Sequence, residues 1–322
     1  MLAEDLELIP GRWIGSKHPC FVIAEIGQNH QGNIYTAKTT QLIETAKVSV
    51  CFRKYRSSKS SIKQLSRAPY LSKHSWGRTY GEHKKYLEFS DEDFRELRNY
   101  AEKVIKIPFT ASAMDSKSVS FLESMKVPFI KIGSGDVKNI PLIRQAAATN
   151  IPLVISTGMS DMEGVQEIYA TVKQLHKKFI LLHCVSAYPP PPREINLRVI
   201  SEFQDRFPDV HIGARVSERL NPTNRHITLD KNLKGNDHHC SLEPKEFKQM
   251  VEEIRTIEAA LGQRQKRIQD SELPCIAKLG KTIVAATNLS KGTVLTPECV
   301  KIKVAEPKDE SITTQCVQTL YQ

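Results

Sequence analysis

Eight short apolar runs divide the chain, and almost every one ends at a small or functional residue. They are FVIAEIG (21–27), Val48–Phe52, IPFTAS (107–112), PFIKIGSGD (128–136), PLVISTGM (152–159), FILLHCVSAYP (179–189), VHIG (210–213) and RHITLD (225–230). Runs of this length that stay apolar throughout suit strands buried on both faces. Strands of that kind alternating with helix-length segments specify a parallel sheet. Eight is the number at which such a sheet closes, so residues 1–262 are expected to form an α/β fold, a TIM (β/α)8-type barrel.

The intervening segments carry helix signals. In SDEDFRELRNYAEKV (90–104), Ser90 can cap the first turn and Asp93 can reach back to it. Phe94, Leu97, Ala101 and Val104 then fall on one stripe. Phe247, Val251, Ile254, Ile257 and Leu261 make a later stripe, which Gly262 stops. One connection breaks the pattern. A crossover between parallel strands needs about a dozen residues or more. Between VHIG and RHITLD only residues 214–224 are present, and Pro222 is among them. The barrel is therefore expected to be incomplete around its seventh strand.

After Gly262 the texture changes. GQRQKRIQDSE (262–272) is polar and basic, and residues 263–278 are expected to be a linker. Residues 279–322 read as a small all-β module, with turns at Asn288–Gly292 and at Thr296-Pro297.

Strand ends point to a site, because a barrel builds its site at the C-terminal ends of its strands. The candidates are Glu25, Thr110, Lys131 with Ser134, Ser156, Ser186 with Tyr188, and His226. Alternation places Phe129, Lys131 and Gly133 on one face and Ile130 and Ile132 on the other. The isoleucines suit the outer helix layer, so Lys131 points inward. A buried cation is costly unless it meets an anion. Two partners are possible: a bound anionic ligand, favoured by the surrounding hydroxyls and glycines, or an internal ion pair with Glu25 or Asp136.

The formal charge of +10 suits an anionic ligand. The basic residues are spread out and no nucleic-acid motif accompanies them, so nucleic acid is not expected as a partner. No apolar run has membrane-spanning length, so no membrane association is expected. The seven cysteines contain no C-x-x-C pair, and Glu4, Asp5 and Glu7 make the start acidic. Both features suit a reduced, cytoplasmic protein.

The order of certain stretches resembles the sialic acid synthase family, most closely the animal type that makes sialic acid 9-phosphate. They are FVIAEIGQNHQGN, YLSKHSWGRTYGEHKKYLEFS, FIKIGSGD, VISTGMS, HCVSAYPPPPREINLRVI, RHITLDKNLKGNDHHCSLEP and the module KLGKTIVA…GTVLT. The resemblance implies a TIM barrel followed by an antifreeze-like (SAF) domain, here shortened, and a domain-swapped homodimer. It also implies condensation of phosphoenolpyruvate with N-acetylmannosamine or its 6-phosphate, assisted by a divalent cation, Mn²⁺ or Mg²⁺. By the same resemblance, Lys131, Ser134, Thr110, Ser156 and Ser186 fall at phosphoenolpyruvate-binding positions. Glu25, Tyr188 and Asp237 fall at sugar-contacting positions. Asp136 stands where the family has a carboxylate near the attacked carbon, and Glu25, Asp136 and Asp237 are the candidate catalytic carboxylates.

Departures accompany the matches. The family's Lys-x-Gln motif at the second strand is replaced in VSVCFRKYRSSKSS (48–61), where Arg53 and Tyr55 take those places. The arginine that the family's antifreeze-like domain contributes has no match. His226 corresponds to the second of two metal-binding histidines, and the first has no counterpart in ARVSERLNPT (214–223). His238 and His239 could substitute, although a DHH loop is expected to be solvent-exposed. An alternative function is therefore a catalytically impaired member that retains phosphoenolpyruvate binding or dimerisation.

Overall fold

Eight parallel strands form one sheet in the computed structural model, which describes residues 3–41, 49–54, 67–187, 190–215, 224–262 and 265–304. The chain divides into two units, Met1–Leu261 and Gly262–Gln322. The first opens with an antiparallel hairpin of β1 (Leu6–Ile9) and β2 (Arg12–Ile14). The parallel strands follow: β3 (Ile23–Gly27), β4 (Ser49–Lys54), β5 (Phe109–Ala113), β6 (Ile130–Ile132), β7 (Leu153–Ser156), β8 (Phe179–Cys184), β9 (His211–Arg215) and β10 (Asn224–His226). Their order is β10-β3-β4-β5-β6-β7-β8-β9, so each lies beside its chain neighbour and the last lies beside the first. Strands β9 and β10 approach each other, but no hydrogen-bonded ladder joins them among the described residues.

Helices α1 (Ile34–Gln41), α2 (Tyr80–Leu87), α3 (Asp91–Asn99), α4 (Ser116–Ser124), α5 (Ile140–Ala148), α6 (Met162–Leu175), α7 (Val199–Arg206) and α8 (Pro244–Leu261) complete the unit. Strand parity sorts the side chains into two cores. Ala24, Ile26, Ala111, Ile130, Ile132, Leu153, Ile155 and Leu181 pack with helix residues such as Phe94, Leu97, Ile143 and Phe247. The alternate residues Ile23, Phe129, Val154, Ile180 and Leu182 fill the interior together with Leu6, Leu8 and Ile9 of the hairpin. The same inward parity also carries Glu25, Thr110, Ser112, Lys131 and Ser156, all buried.

Some expectations need correction. Helix α3 begins with the expected box: Ser90 Oγ accepts from Asp93 N at 3.1 Å and Asp93 Oδ2 accepts from Ser90 N at 2.9 Å. It ends at Asn99, and Tyr100–Ile105 continues as a π-helical turn closed by Lys106 at φ 64°. The wider turn rotates Val104 off the stripe, leaving it 61% exposed. In α8, Phe247, Val251 and Ile254 are buried, but Ile257 and Leu261 run past the end of the core and are exposed. Two runs are shorter strands than expected. The chain after β6 turns into a 3₁₀ turn at Ser134–Asp136, and β10 stops at His226. The crossover from β9 to β10, expected to lack a helix, lies outside the described residues between 216 and 223.

The second unit is described separately. Part of the stretch expected to be a linker is a helix, α9 (Leu273–Leu279), entered through a 3₁₀ turn at Asp270–Glu272. The Gln269–Glu272 capping pair and the early Pro274 account for its start. Strands β11 (Thr282–Ala285) and β12 (Val300–Lys303) pair antiparallel. None of this unit's described residues is buried.

Candidate active site at the barrel mouth

Two polar clusters meet at the C-terminal ends of the strands. The first surrounds Lys131, which is 1% exposed. Its Nζ donates to Ser156 Oγ at 2.5 Å and to the Ile132 carbonyl at 3.0 Å. Thr110 Oγ1 donates to the Phe129 carbonyl, two residues before the lysine. Above them the turns after β6, β7 and β8 converge on Gly158. A Cβ placed there would stand 2.3 Å from Ser186 Oγ and 2.8 Å from Ser134 Oγ. Both hydroxyl oxygens are buried and have no hydrogen-bond partner among the described residues. Two idle hydroxyls around a glycine that keeps the space open, two residues beyond the Ser156 that takes the Lys131 ammonium, make a candidate cradle for an oxyanion.

Asp136 closes the 3₁₀ turn beside this cradle. Burial raises its carboxyl pKa above the usual aspartate value; the Asn139 amide at 3.3 Å opposes the shift, and Asp115 adds to it. Such a group holds and releases a proton nearer to neutrality than an ordinary aspartate does.

The second cluster surrounds Gly27. The β10–β3 register sets His226 opposite Glu25, with Nε2 and Oε1 4.0 Å apart. Gly27 has φ +60°, and a Cβ there would meet His226 Cε1 at 2.8 Å and Asp237 Oδ2 at 3.0 Å. Glycine therefore serves both the left-handed turn and the close approach of these two groups. His30 follows at 2% exposure, stacked 4.2 Å from Phe89. Burial pushes its pKa down to about 3, so the ring is neutral, and Nδ1 accepts from Gly32 N at 3.1 Å.

His238 corrects the sequence reading. It is fully buried rather than solvent-exposed, and burial lowers its pKa. Thr228 Oγ1 lies 2.6 Å from His238 Nδ1 and 3.1 Å from the Asp230 carbonyl, so the hydroxyl ties the ring to the turn that follows β10. His239 is exposed, as expected, and stacks on His74 with ring centroids 6.3 Å apart.

The expected divalent cation would need several of these donors together. His226 contributes one imidazole, with Glu25 and Asp237 nearby. Among the described residues no group of three or more His, Cys, Asp or Glu side chains is placed to hold a metal ion. The described donors alone do not make up a metal-binding group.

Of the predicted site residues, the structure gathers Lys131, Ser134, Ser156 and Ser186 in one cluster, with Thr110 beneath. It gathers Glu25, His226 and Asp237 in the other. Tyr188 and Tyr55 lie outside the described residues, and Arg53 is described only as backbone of β4. Sequence reading missed Ser112, which faces inward beside Lys131 in the β5–β6 register. Its two-residue spacing from Thr110 was the available signal. It also missed His30 and the two enabling glycines, for which a strand end followed by glycine was the only cue.

Comparison with known proteins gives a consistent picture. Residues 42–266 match the model of the NeuB family. The human N-acetylneuraminate-9-phosphate synthase is 47% identical over 320 residues, covering 94% of this chain and 88% of that protein. The Drosophila melanogaster protein of the same name is 42% identical over 347 residues, covering 95% and 91%. A crystal structure of sialic acid synthetase from Leptospira borgpetersenii, in complex with citrate, superposes with a TM-score of 0.72 at 26% identity. It covers 85% of this chain and 96% of that one. With a family model spanning most of the chain and relatives this similar along nearly all of it, the chain belongs to the NeuB family of sialic acid synthases.

Proposed function

We propose that this protein is a sialic acid synthase of the transferase type. It condenses phosphoenolpyruvate with N-acetylmannosamine 6-phosphate to give sialic acid 9-phosphate and phosphate, and N-acetylmannosamine is the alternative acceptor. The observation that carries the reading is the candidate cradle at Gly158, where two buried serine hydroxyls have no partner among the described residues and the neighbouring Ser156 takes the Lys131 ammonium. Lys131, Ser134, Ser156, Ser186 and Thr110 bind the phosphate and carboxylate of phosphoenolpyruvate. Glu25, Asp237 and Tyr188 take the sugar. Carbon 3 of phosphoenolpyruvate attacks the open-chain aldehyde, water adds at carbon 2, and phosphate leaves with carbon–oxygen cleavage. The aldehyde oxygen gains a proton and the attacking water loses one. Asp136, with its raised pKa, is the group suited to that transfer.

The resemblance also supports a barrel domain over 1–262 and a shortened antifreeze-like domain over 279–322. It supports a homodimer as well. The second unit agrees with this, since it leaves Val294, Leu295 and Val304 exposed. No helix among the described residues is long and apolar enough to cross a membrane, and a cytoplasmic location is part of the proposal. Nothing in the comparisons favours the impaired alternative.

The test is turnover by purified protein with each acceptor, with Mn²⁺, with Mg²⁺ and with chelator. Phosphoenolpyruvate labelled with ¹⁸O at the bridging position should release labelled phosphate. Absence of product with both acceptors under all three conditions refutes the proposal.

A further inference from the structure

Asp237 is carried by residues 231–240, a loop whose only regular element is the single 3₁₀ turn His238–Cys240. Strand pairing therefore cannot hold its carboxylate in place. The three residues immediately before it are each tied to a side chain from outside the loop. Gln31 Nε2 donates to the Lys234 carbonyl at 2.9 Å. Gly235 N donates to His74 Nδ1 at 3.3 Å. Asn236 Nδ2 donates to Tyr70 Oη at 2.8 Å.

Two of these ties come from one excursion of the chain, residues 69–79. Its base is closed by a bridge between Pro69 and Thr79 and by Tyr70 N donating to the Arg78 carbonyl at 3.0 Å. It is braced from beneath by His83, a buried residue whose Nδ1 accepts from Trp76 N at 3.2 Å. The Lys234 ammonium stands 5.0 Å from the centre of the Trp76 ring. The excursion is thus a closed strap with its own support, and its polar contacts with the loop fall next to the carboxylate.

We propose that residues 69–79 are a positioning strap for Asp237, and that Tyr70 and His74 set the affinity for the acetamido-sugar acceptor without touching it. The inference rests on the reading of Asp237 as a sugar-binding carboxylate. Phosphoenolpyruvate is held by the Gly158 cradle, to which the strap makes no bond among the described residues, so its binding is unaffected.

The experiment is steady-state kinetics on the full chain carrying Tyr70→Phe, His74→Ala, Asn236→Ala, the Tyr70→Phe/Asn236→Ala pair, and Asp237→Asn. Calorimetry of acceptor binding to the phosphoenolpyruvate-loaded protein provides the same comparison without turnover. Tyr70→Phe and Asn236→Ala should each raise the acceptor KM by about tenfold, the effect of one ordinary hydrogen bond. The phosphoenolpyruvate KM and the melting temperature should stay unchanged. The double variant should be no worse than the weaker single, because both remove the same bond. Unchanged acceptor affinity in both Tyr70→Phe and His74→Ala, with affinity lost in Asp237→Asn, overturns the strap alone. A parallel loss for both substrates with a lower melting temperature also overturns it, in favour of a purely structural role. If Asp237→Asn itself leaves acceptor affinity intact, the underlying sugar-site reading fails and the strap falls with it.

Discussion

Replacing Gly158 by alanine tests the cradle directly. The backbone there does not require glycine, so the whole effect comes from one methyl group. Its Cβ would lie 2.3 Å from Ser186 Oγ, 2.8 Å from Ser134 Oγ and 3.2 Å from Ser134 Cβ, where ordinary contact begins at 3.4 Å. The Ser186 hydroxyl must retreat by about 1 Å and the Ser134 side chain by about half that, more than a tightly packed turn absorbs without strain. Both hydroxyls then leave the positions from which they reach an oxyanion. A hydrogen bond to a charged group contributes about 1.5–3 kcal/mol, so losing two costs about 3–6 kcal/mol. That corresponds to roughly two to four orders of magnitude in Kd for phosphoenolpyruvate. Titration calorimetry measures it, with circular dichroism and thermal melting to show that the variant is folded. Ser134→Ala and Ser186→Ala should each lose about one to two orders of magnitude on the same reasoning. A folded Gly158→Ala protein that binds phosphoenolpyruvate within about threefold of wild type would refute the cradle, since threefold is less than half of one such bond.

Further outcomes follow from the same geometry. Lys131→Met should abolish phosphoenolpyruvate binding in calorimetry, because it removes the buried ammonium that Ser156 orients at the strand ends. Gly27→Ala combines a left-handed backbone with contacts under 3.1 Å to His226 and Asp237; it should raise the acceptor KM and lower stability by about 1–3 kcal/mol, read by denaturant melts. The Asp136 carboxyl pKa is raised on folding, so its ionisation favours the unfolded chain, and the penalty grows as pH rises through the folded pKa. Asp136→Asn should therefore melt higher than wild type at neutral pH, lose that advantage below the ordinary aspartate pKa of about 3.8, and turn over more slowly at every pH. Asn29 Nδ2 bonds both the Ile227 carbonyl and Ser241 Oγ at 2.8 Å; Asn29→Ala leaves both acceptors buried and should cost about 2–4 kcal/mol in a denaturant melt.

The two halves of the site differ in how far the chain announces them. The half assigned to phosphoenolpyruvate is built from strand ends, and a strand has a side-chain period of two. Once the helix-facing isoleucines of FIKIG are recognised, Lys131 must point inward. The same parity would have yielded Ser112 from Thr110. Local geometry decides these positions, so sequence pattern reaches them. The half assigned to the sugar depends on pairings distant in sequence. His226 meets Glu25 only because the eighth strand of the barrel lies beside the first. Asp237 is placed by Gln31, Tyr70 and His74 through bonds spanning more than 150 residues. Nothing periodic marks such contacts, and for that reason His238 reads as an exposed loop residue although the fold buries it completely. The excursion of Val104 has the same origin on a smaller scale, since a change from α to π winding leaves the apolar spacing of the sequence intact. The seam between β9 and β10 joins both cases. A chain too short for an ordinary crossover enters the strand that carries His226, and among the described residues that strand's ladder runs only to β3. Among the described residues, the half assigned to the sugar therefore rests on loops and on a strand hydrogen-bonded on one side, while the half assigned to phosphoenolpyruvate rests on strands bonded on both. Substitutions in the 69–79 strap, in Gly27 or in Asn29 should accordingly disturb acceptor binding well before they disturb the Lys131 cradle.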